Sequence, residues 1–514
     1  MQSRVRNDGR ENGMMKITLT ESDREFFALA ADAAFTNPFS EKREQIDRHL
    51  AGTLKRRPRE QVLPVMMRQL RKRLDGLDSK IKDKTGKGGA AGFSDFEGAD
   101  RELIKYVYLF DVFHRFAAEF DGLIQRQLDR PDSQVGAEFV PKMLDALNGR
   151  GFDRDESVRQ AGLFYQLRRA YYFIDKGLIG QSECMRGLRV DLWNNIFTSD
   201  IRVYEKYLWD RMEDFSTLLE GPTGSGKGAA AAAIGLSGYI PYDADRGAFE
   251  SSFVELFVSA NLSQVAPGLM ESELFGHSKG AFTGAVAEHE GLFGLCRPHG
   301  TIFLDEIGEV SEQVQVKLLK VLEERAFTAV GSHKARRFSG RIVAATNRRV
   351  EKLLAGGIMR EEFYYRLCSD VIKAPSLRQR IEENPAELAQ LVRHFVRQIT
   401  GHDARELCDK VMDVIGARLP AGYQWRGNVR ELAQCIRRVI LKEDYSGQLA
   451  AEKGLLEQIK EGIESGTLGS EELLNKYCLA LYQRFATYQQ AGKAAGLDWR
   501  TVKKRAEAET GERD

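Results

Sequence analysis

The sequence predicts a multidomain protein: a mostly helical N-terminal region, a central parallel α/β core, and further helical segments toward the C-terminus. Three observations predict it. Residues 1 to about 185 carry apolar residues at helical spacing. From about 190, short apolar runs such as STLLE, GTIFLDE and GRIVAATN alternate with helical stretches, the pattern of parallel strands joined by crossover helices. Residues 380 to 440 turn helical again, and so do 471 to about 508. A chain of 514 residues is too long for one hydrophobic core, so three or four domains are expected.

Composition narrows the function classes. Hydrophobic residues at 42% and charged residues at 29% fit a soluble globular chain. The formal net charge of +1 gives no global field for nucleic acid, so any such role must sit in a local patch. The N-terminus, MQSRVRNDGRENG, is polar, and no run of eighteen apolar residues occurs, so neither a secretory signal nor a membrane span is expected. The six cysteines, Cys184, Cys296, Cys368, Cys408, Cys435 and Cys478, form no CxxC pair, which suggests a reducing cytoplasm.

In the N-terminal region, one helical run is expected over Arg101 to Leu128, with Leu103, Tyr106, Leu109, Phe110, Phe113 and Phe116 on its apolar face. A second covers Gly162 to Ile179, and DKTGKGGAAGFSDFEGAD before the first reads as a loop. The aromatics either pack helix on helix or line a ligand pocket, and packing is the simpler reading. A phosphoacceptor pattern, an acidic cluster with an aspartate at a strand end and a later lysine, is not seen.

Chemistry enters at Gly221-Pro222-Thr223-Gly224-Ser225-Gly226-Lys227, between the apolar run Ser216 to Leu219 and an alanine-rich helix. A strand, a glycine-rich turn and a helix N-terminus aim backbone N–H groups at phosphate oxygens, and Lys227 adds a point charge. Residue 228 is Gly, so the usual hydroxyl that helps hold magnesium is missing. Thr301 to Leu304 ends in Asp305-Glu306, where Asp305 is assigned to magnesium and Glu306 to water activation. Arg341 to Ala345 leads into Thr346-Asn347, a polar pair placed to position water. Arg360 and Arg366, in MREEFYYR, could reach a neighbouring subunit's nucleotide or make ordinary surface ion pairs.

The segment Glu271 to Ala285, ESELFGHSKGAFTGA, closely resembles the hallmark of bacterial enhancer-binding proteins, the AAA+ activators of sigma-54 RNA polymerase. The resemblance covers roughly 190 to 440 and implies an AAA+ α/β P-loop core with an α-helical lid. It implies that Gly280, Ala281, Phe282, Thr283, Gly284 and Ala285 form a loop that contacts the sigma factor. Lys227 matches the Walker A lysine, and Asp305 with Glu306 the Walker B pair. Asn261 matches the asparagine that couples the Walker B glutamate to that loop. Thr346 and Asn347 match sensor I, Arg360 and Arg366 the arginine fingers, and Arg430, in WRGNVREL, the sensor II arginine. The sequence departs from the family at Gly228, where glutamate is usual, at Pro222 and Ser225, at Ala329 before Val330-Gly331-Ser332, and in SGYIPYDADRGAFESSF before Asn261.

The C-terminal segment resembles the Fis-like helix-turn-helix common in that family. Tyr488 to Leu497 reads as a first helix and turn. Arg500, Thr501, Lys503, Lys504 and Arg505 would line the recognition helix in the major groove.

The expected domains are 1–185, a helical regulatory or sensory domain; 186–375, the α/β ATPase subdomain; 376–440, the lid; 441–470, a linker; and 471–514, the DNA-binding helices. By resemblance the chain is a cytoplasmic, ring-forming, hexameric activator. It would use ATP and Mg2+ to remodel sigma-54 RNA polymerase from enhancer DNA, under an unknown ligand or regulatory protein at its N-terminal domain. A DNA-binding regulator with a degenerate ATPase, or an AAA+ remodeller of another protein, are the alternatives.

Overall fold

The computed structural model describes residues 17–53, 59–85, 90–131, 135–420, 422–445, 447, 455–464, 466 and 468–510. The chain divides into two compact units, one of residues 1–404 with 424–433 and the other of 405–423 with 434–514. No helix among the described residues is long and apolar enough to cross a membrane.

The first unit is organised by a five-stranded parallel sheet. Its strands are β1 (Thr217–Glu220), β2 (Phe257–Asn261), β3 (Thr301–Asp305), β4 (Arg341–Thr346) and β5 (Asp370–Lys373). The spatial order is β2-β3-β4-β1-β5. The runs STLLE, GTIFLDE and GRIVAATN are the three inner strands, covered on both faces and therefore apolar almost throughout. The edge strands β2 and β5 are only partly buried, so their sequences carry a weaker signal. Because β4 inserts between β3 and β1, the carboxyl ends of all three meet on one edge. Glu220 lies beside Thr346, and Asn261 beside Asp305. Ligands bind at such an edge in open α/β sheets.

Among the described residues, the helices of nine residues or more that precede the sheet are α1 (Glu21–Phe35), α2 (Glu41–Leu50), α3 (Arg59–Thr85), α4 (Gly98–Arg115), α5 (Ala117–Asp129), α6 (Val140–Asn148), α7 (Arg154–Gly177) and α8 (Glu183–Phe197). The single run expected from Arg101 to Leu128 is two helices. It breaks at Phe116, whose ψ of 12° leaves the helical range and whose ring stacks on Phe139. Helix α7 starts earlier than the apolar pattern suggests, because the Asp153 side chain accepts the Glu156 N–H and caps it. The boundary placed at 185 falls inside α8.

These helices share their core with the sheet domain. One continuous apolar cluster runs from α1–α7 to Ile240, Tyr242, Phe249, Phe253 and Leu256. A second joins α7 and α8 to the helix Lys227–Gly235 and to the inner strands. The atypical stretch 237–253 is thus a docking surface: Tyr165 stacks on Phe249 at 4.1 Å. Gln166 Nε2 donates to the Ser237 carbonyl at 2.9 Å. Arg169, fully buried, donates to the carbonyls of Leu236 at 2.7 Å and Gly238 at 2.5 Å. Burial pulls the Arg169 guanidinium down to about 10. At the far end of α7, the turn at 178–182 rests on the helices Leu377–Glu383 and Ala386–Thr400. There Glu387, fully buried, pairs with Arg380 at 2.7 Å and accepts the Ser182 N–H at 2.6 Å. Gly180 sits at φ +128°, and a Cβ there would lie 2.3 Å from the Glu387 carboxylate.

In the second unit, the stretch 441–470 expected as a linker contains the helix Leu455–Glu464. Its glycines and charges hide Leu455, Ile459 and Ile463 at helical spacing. Three further helices follow, Ser470–Phe485, Tyr488–Ala495 and Trp499–Thr510, around Cys478, Ala491 and Val502.

Candidate active site

The turn after β1 is built from backbone that only glycine adopts cheaply. Gly224 has φ +76° and Gly226 φ +100°. A Cβ at Gly224 would meet the Gly427 carbonyl at 2.4 Å, and one at Gly221 the Ala374 carbonyl at 2.7 Å. Thr223 and Pro222 are exposed, while the Ser225 hydroxyl is buried. Lys227 opens the following helix, and its ammonium donates to the carbonyls of Gly221 at 2.8 Å and Pro222 at 3.3 Å. Burial lowers the Lys227 pKa, against the opposing pull of Glu306 and Asp305. Gly228 is exposed, and a Cβ there would meet nothing within 4 Å.

Asp305 ends β3, and Glu306 turns out of it at φ +58°. Asn347 then ties the edge together. Its amide donates to the Glu306 carboxylate at 3.2 Å and to the Thr223 hydroxyl at 3.2 Å. Of the pair read as sensor I, only Asn347 makes these contacts. Thr346 is buried, and its hydroxyl accepts the Arg348 N–H at 3.1 Å. Asn261 donates to Asp305 at 3.4 Å, so its hydrogen bond goes to the magnesium candidate while Glu306 is held by Asn347.

Arg430 is exposed beside this edge and acts electrostatically on Lys227. The turn that presents it grips the P-loop directly. Asn428 Nδ2 donates to the Thr223 carbonyl at 2.9 Å, and the Val429 N–H to the Gly224 carbonyl at 3.1 Å. Asn428 Oδ1 accepts the Leu377 N–H at 2.8 Å. Sequence reasoning passed over Asn428 as a contact residue. Its φ of +52°, uncommon outside asparagine and glycine, is the feature that places it.

Arg360 and Arg366 lie elsewhere. Arg360 precedes the helix Glu361–Leu367 and pairs with Glu362 at 3.2 Å, and Arg366 pairs with Glu323 at 3.4 Å. The Arg366 carbonyl accepts the Ser216 hydroxyl, at the end of β1 opposite the P-loop.

The segment 280–285 is a closed hairpin. Gly280 N–H donates to the Ala285 carbonyl at 2.8 Å, and Ala285 N–H to Phe282 at 3.0 Å. Phe282 stays 39% exposed, its ring edge-on to His277. Thr283 and Gly284 are exposed at the tip, and Ala281 faces Gly331. The neck is pinned by Val330, which accepts from Ser278 and donates to Gly276. Lys317, on the helix Glu312–Glu324 that follows the Asp305-Glu306 turn, pairs at 2.5 Å with Glu271, on the helix Met270–Phe275 that precedes the hairpin. That bridge also escaped the sequence reading.

Residues 201–373 match the family described as the Sigma-54 interaction domain. The chain is 42% identical over 226 residues to a Nif-specific regulatory protein of Klebsiella pneumoniae, covering 44% of this chain and 39% of that one. It is 35% identical over 248 residues to the regulatory protein AtoC of Escherichia coli, covering 48% and 49%. Similarity to a Nif-specific regulatory protein of Azotobacter vinelandii reaches 36% over 316 residues, covering 60% and 52%. The chain thus spans about half the length of these relatives or less. The sigma-54 interaction segment contains the P-loop, Asp305, Glu306, Asn347, the hairpin and both candidate finger arginines.

In the second unit, the turn at Gly496 (φ +68°) joins Tyr488–Ala495 to Trp499–Thr510. The Leu497 N–H donates to the Gly492 carbonyl, and a Cβ at Gly492 would crowd Trp499, so the two helices need glycine there. Arg500, Lys503 and Lys504 are exposed, and Thr501 is half-buried. Arg505 turns inward, donating to Asn475 at 3.1 Å.

Proposed function

We propose that the chain is an ATP hydrolase that converts nucleotide state into movement of the 280–285 hairpin against sigma-54, and so remodels the closed complex of its RNA polymerase at promoters served from enhancer DNA. The observation that supports it is the joining of two devices in one module. The phosphate edge carries Lys227, Asp305, Glu306 and Asn347, and the Lys317–Glu271 bridge ties the helix after Asp305-Glu306 to the helix Met270–Phe275, which leads into the hairpin segment. Residues 221–228 would cradle the phosphates of ATP, and Arg430, exposed beside that edge, would supply them a positive charge. Asp305 would hold the magnesium ion, which neutralises phosphate charge. Glu306 takes the proton of the attacking water, and Asn347 keeps its carboxylate aimed. Asn261 orients Asp305.

Arg360 and Arg366 act on a neighbour's nucleotide in a hexameric ring, a reading supported by the Arg366 backbone lying at the far end of β1. Arg500, Thr501, Lys503 and Lys504 contact DNA, while Arg505 braces the recognition helix. Residues 1–185 regulate, and the protein works in the cytoplasm.

The test is ATP turnover and sigma-54 crosslinking by the full chain. Turnover lost in Glu306→Gln, with nucleotide-dependent crosslinking through position 282, is the expected result. A Glu306-independent rate or none at all would favour the second reading, a DNA-binding regulator with a degenerate ATPase, which the missing oxygen at Gly228 favours.

A further inference from the structure

Between α1, α2, α4, α7 and α8 lies a cavity of about 320 Å³. A dry apolar cavity of about 150 Å³ suffices to bind benzene, so this one has room for two fused rings. Its walls are aromatic: Phe35, Tyr106, Phe110, Phe113, Phe164 and Trp193 all contribute. Charged groups also line it, and each stands beside an opposite charge. Arg168 holds Asp121 through two bonds of 2.6 and 2.5 Å, Arg43 pairs with Asp47 at 2.6 Å, Glu205 pairs with Arg159 at 3.4 Å, and Lys176 lies 3.9 Å from Asp175. An ionised ligand would find no surplus countercharge, and burying it would cost several kcal/mol. The indole N–H of Trp193 is buried without a hydrogen-bond partner among the described residues, and such a group is costly unless something accepts from it.

We infer that this cavity is a binding site for a neutral aromatic molecule of one or two rings that carries a hydrogen-bond acceptor for Trp193. Helix α7 gives the site an outlet. Leu163, Phe164, Leu167 and Arg168 line the cavity. Gln166 and Arg169, on the same turns of helix, hold the carbonyls at 236–238 that end the P-loop helix. A ligand that shifts α7 therefore pulls on the residues that close the helix begun by Lys227. This outlet bears on the ATPase reading, but the site itself does not depend on it.

Calorimetry and the indole N–H resonances of the full chain test the site, with acetophenone and 2-acetylnaphthalene as probes and benzoate as the charged control. The expected result is one saturable site for a ketone, a shift of the Trp193 N–H signal, and benzoate binding at least about tenfold weaker. Trp193→Phe keeps the ring and weakens the ketone about fivefold. Ala34→Phe, which fills the space, abolishes binding while the fold, checked by its melting curve, survives. Hydrogen exchange at 236–238 slows or quickens with ketone bound, a readout that needs no ATP turnover. Absence of saturable ketone binding, equal binding of benzoate, or full affinity in both variants overturns the site. Binding that leaves exchange at 236–238 unchanged overturns the outlet.

Discussion

The two ends of the P-loop helix are held by opposite kinds of parts. At Lys227, the phosphate edge is made of exposed turns whose backbone is forced left-handed at Gly224, Gly226 and Glu306. At Leu236, the same helix is closed by buried side chains, with Arg169 and Gln166 reaching in from α7. Function at the first end depends on groups kept open to a ligand. Function at the second depends on groups sealed away from water, where each lost partner strands a carbonyl. On the proposed function the first end does the chemistry and the second sets its posture, so substitutions at the two should separate activity from stability.

Glu306→Gln is the sharpest test. Turnover should fall about 1,000-fold, within the usual range for a lost general base, while the melting temperature and nucleotide binding stay near those of the parent. Arg169→Met should do the reverse. Two carbonyls lose charged donors, a cost of about 3 kcal/mol, which a melting curve would record as a drop of about 6 °C. Equal effects of both variants on turnover and melting would break the comparison.

Gly224→Ala comes next. At φ +76° and with the Gly427 carbonyl 2.4 Å from its Cβ, it should push the Asn428 turn off the P-loop and weaken a fluorescent ATP analogue about tenfold. Gly228→Ser is the mildest. Its side chain has open space and would offer an oxygen beside the proposed magnesium site, so half-maximal turnover should need about threefold less magnesium.

This division also explains what the sequence disclosed. The P-loop, Asp305-Glu306 and the 280–285 hairpin are short motifs whose function requires particular residues at fixed spacing, and three inner strands announced themselves by unbroken apolar runs. Edge strands β2 and β5, half-solvated, did not. Nor did the grip of α7 on 236–238, because Arg169 donates to backbone carbonyls, which have no sequence identity. The stretch 237–253 was visible only as a departure, and its reason lay in helices 80 or more residues upstream in places such as Gln127, whose side chain accepts from Tyr165 beneath Phe249. The aromatics of α4 were read first as packing. They pack and also leave a cavity, which is a matter of volumes that no periodicity reports.

Glu306 carries a cost of its own. A glutamate at φ +58° holds about 1 kcal/mol or more of backbone strain, and the Asn347 amide that fixes its carboxylate keeps it there. Glycine at this position would relax the turn and lose the base. A search for more thermostable variants of this chain, blind to activity, would therefore drift away from glutamate at 306, and the persistence of that residue in any stabilised library would be a signature that turnover, not folding, had been under selection.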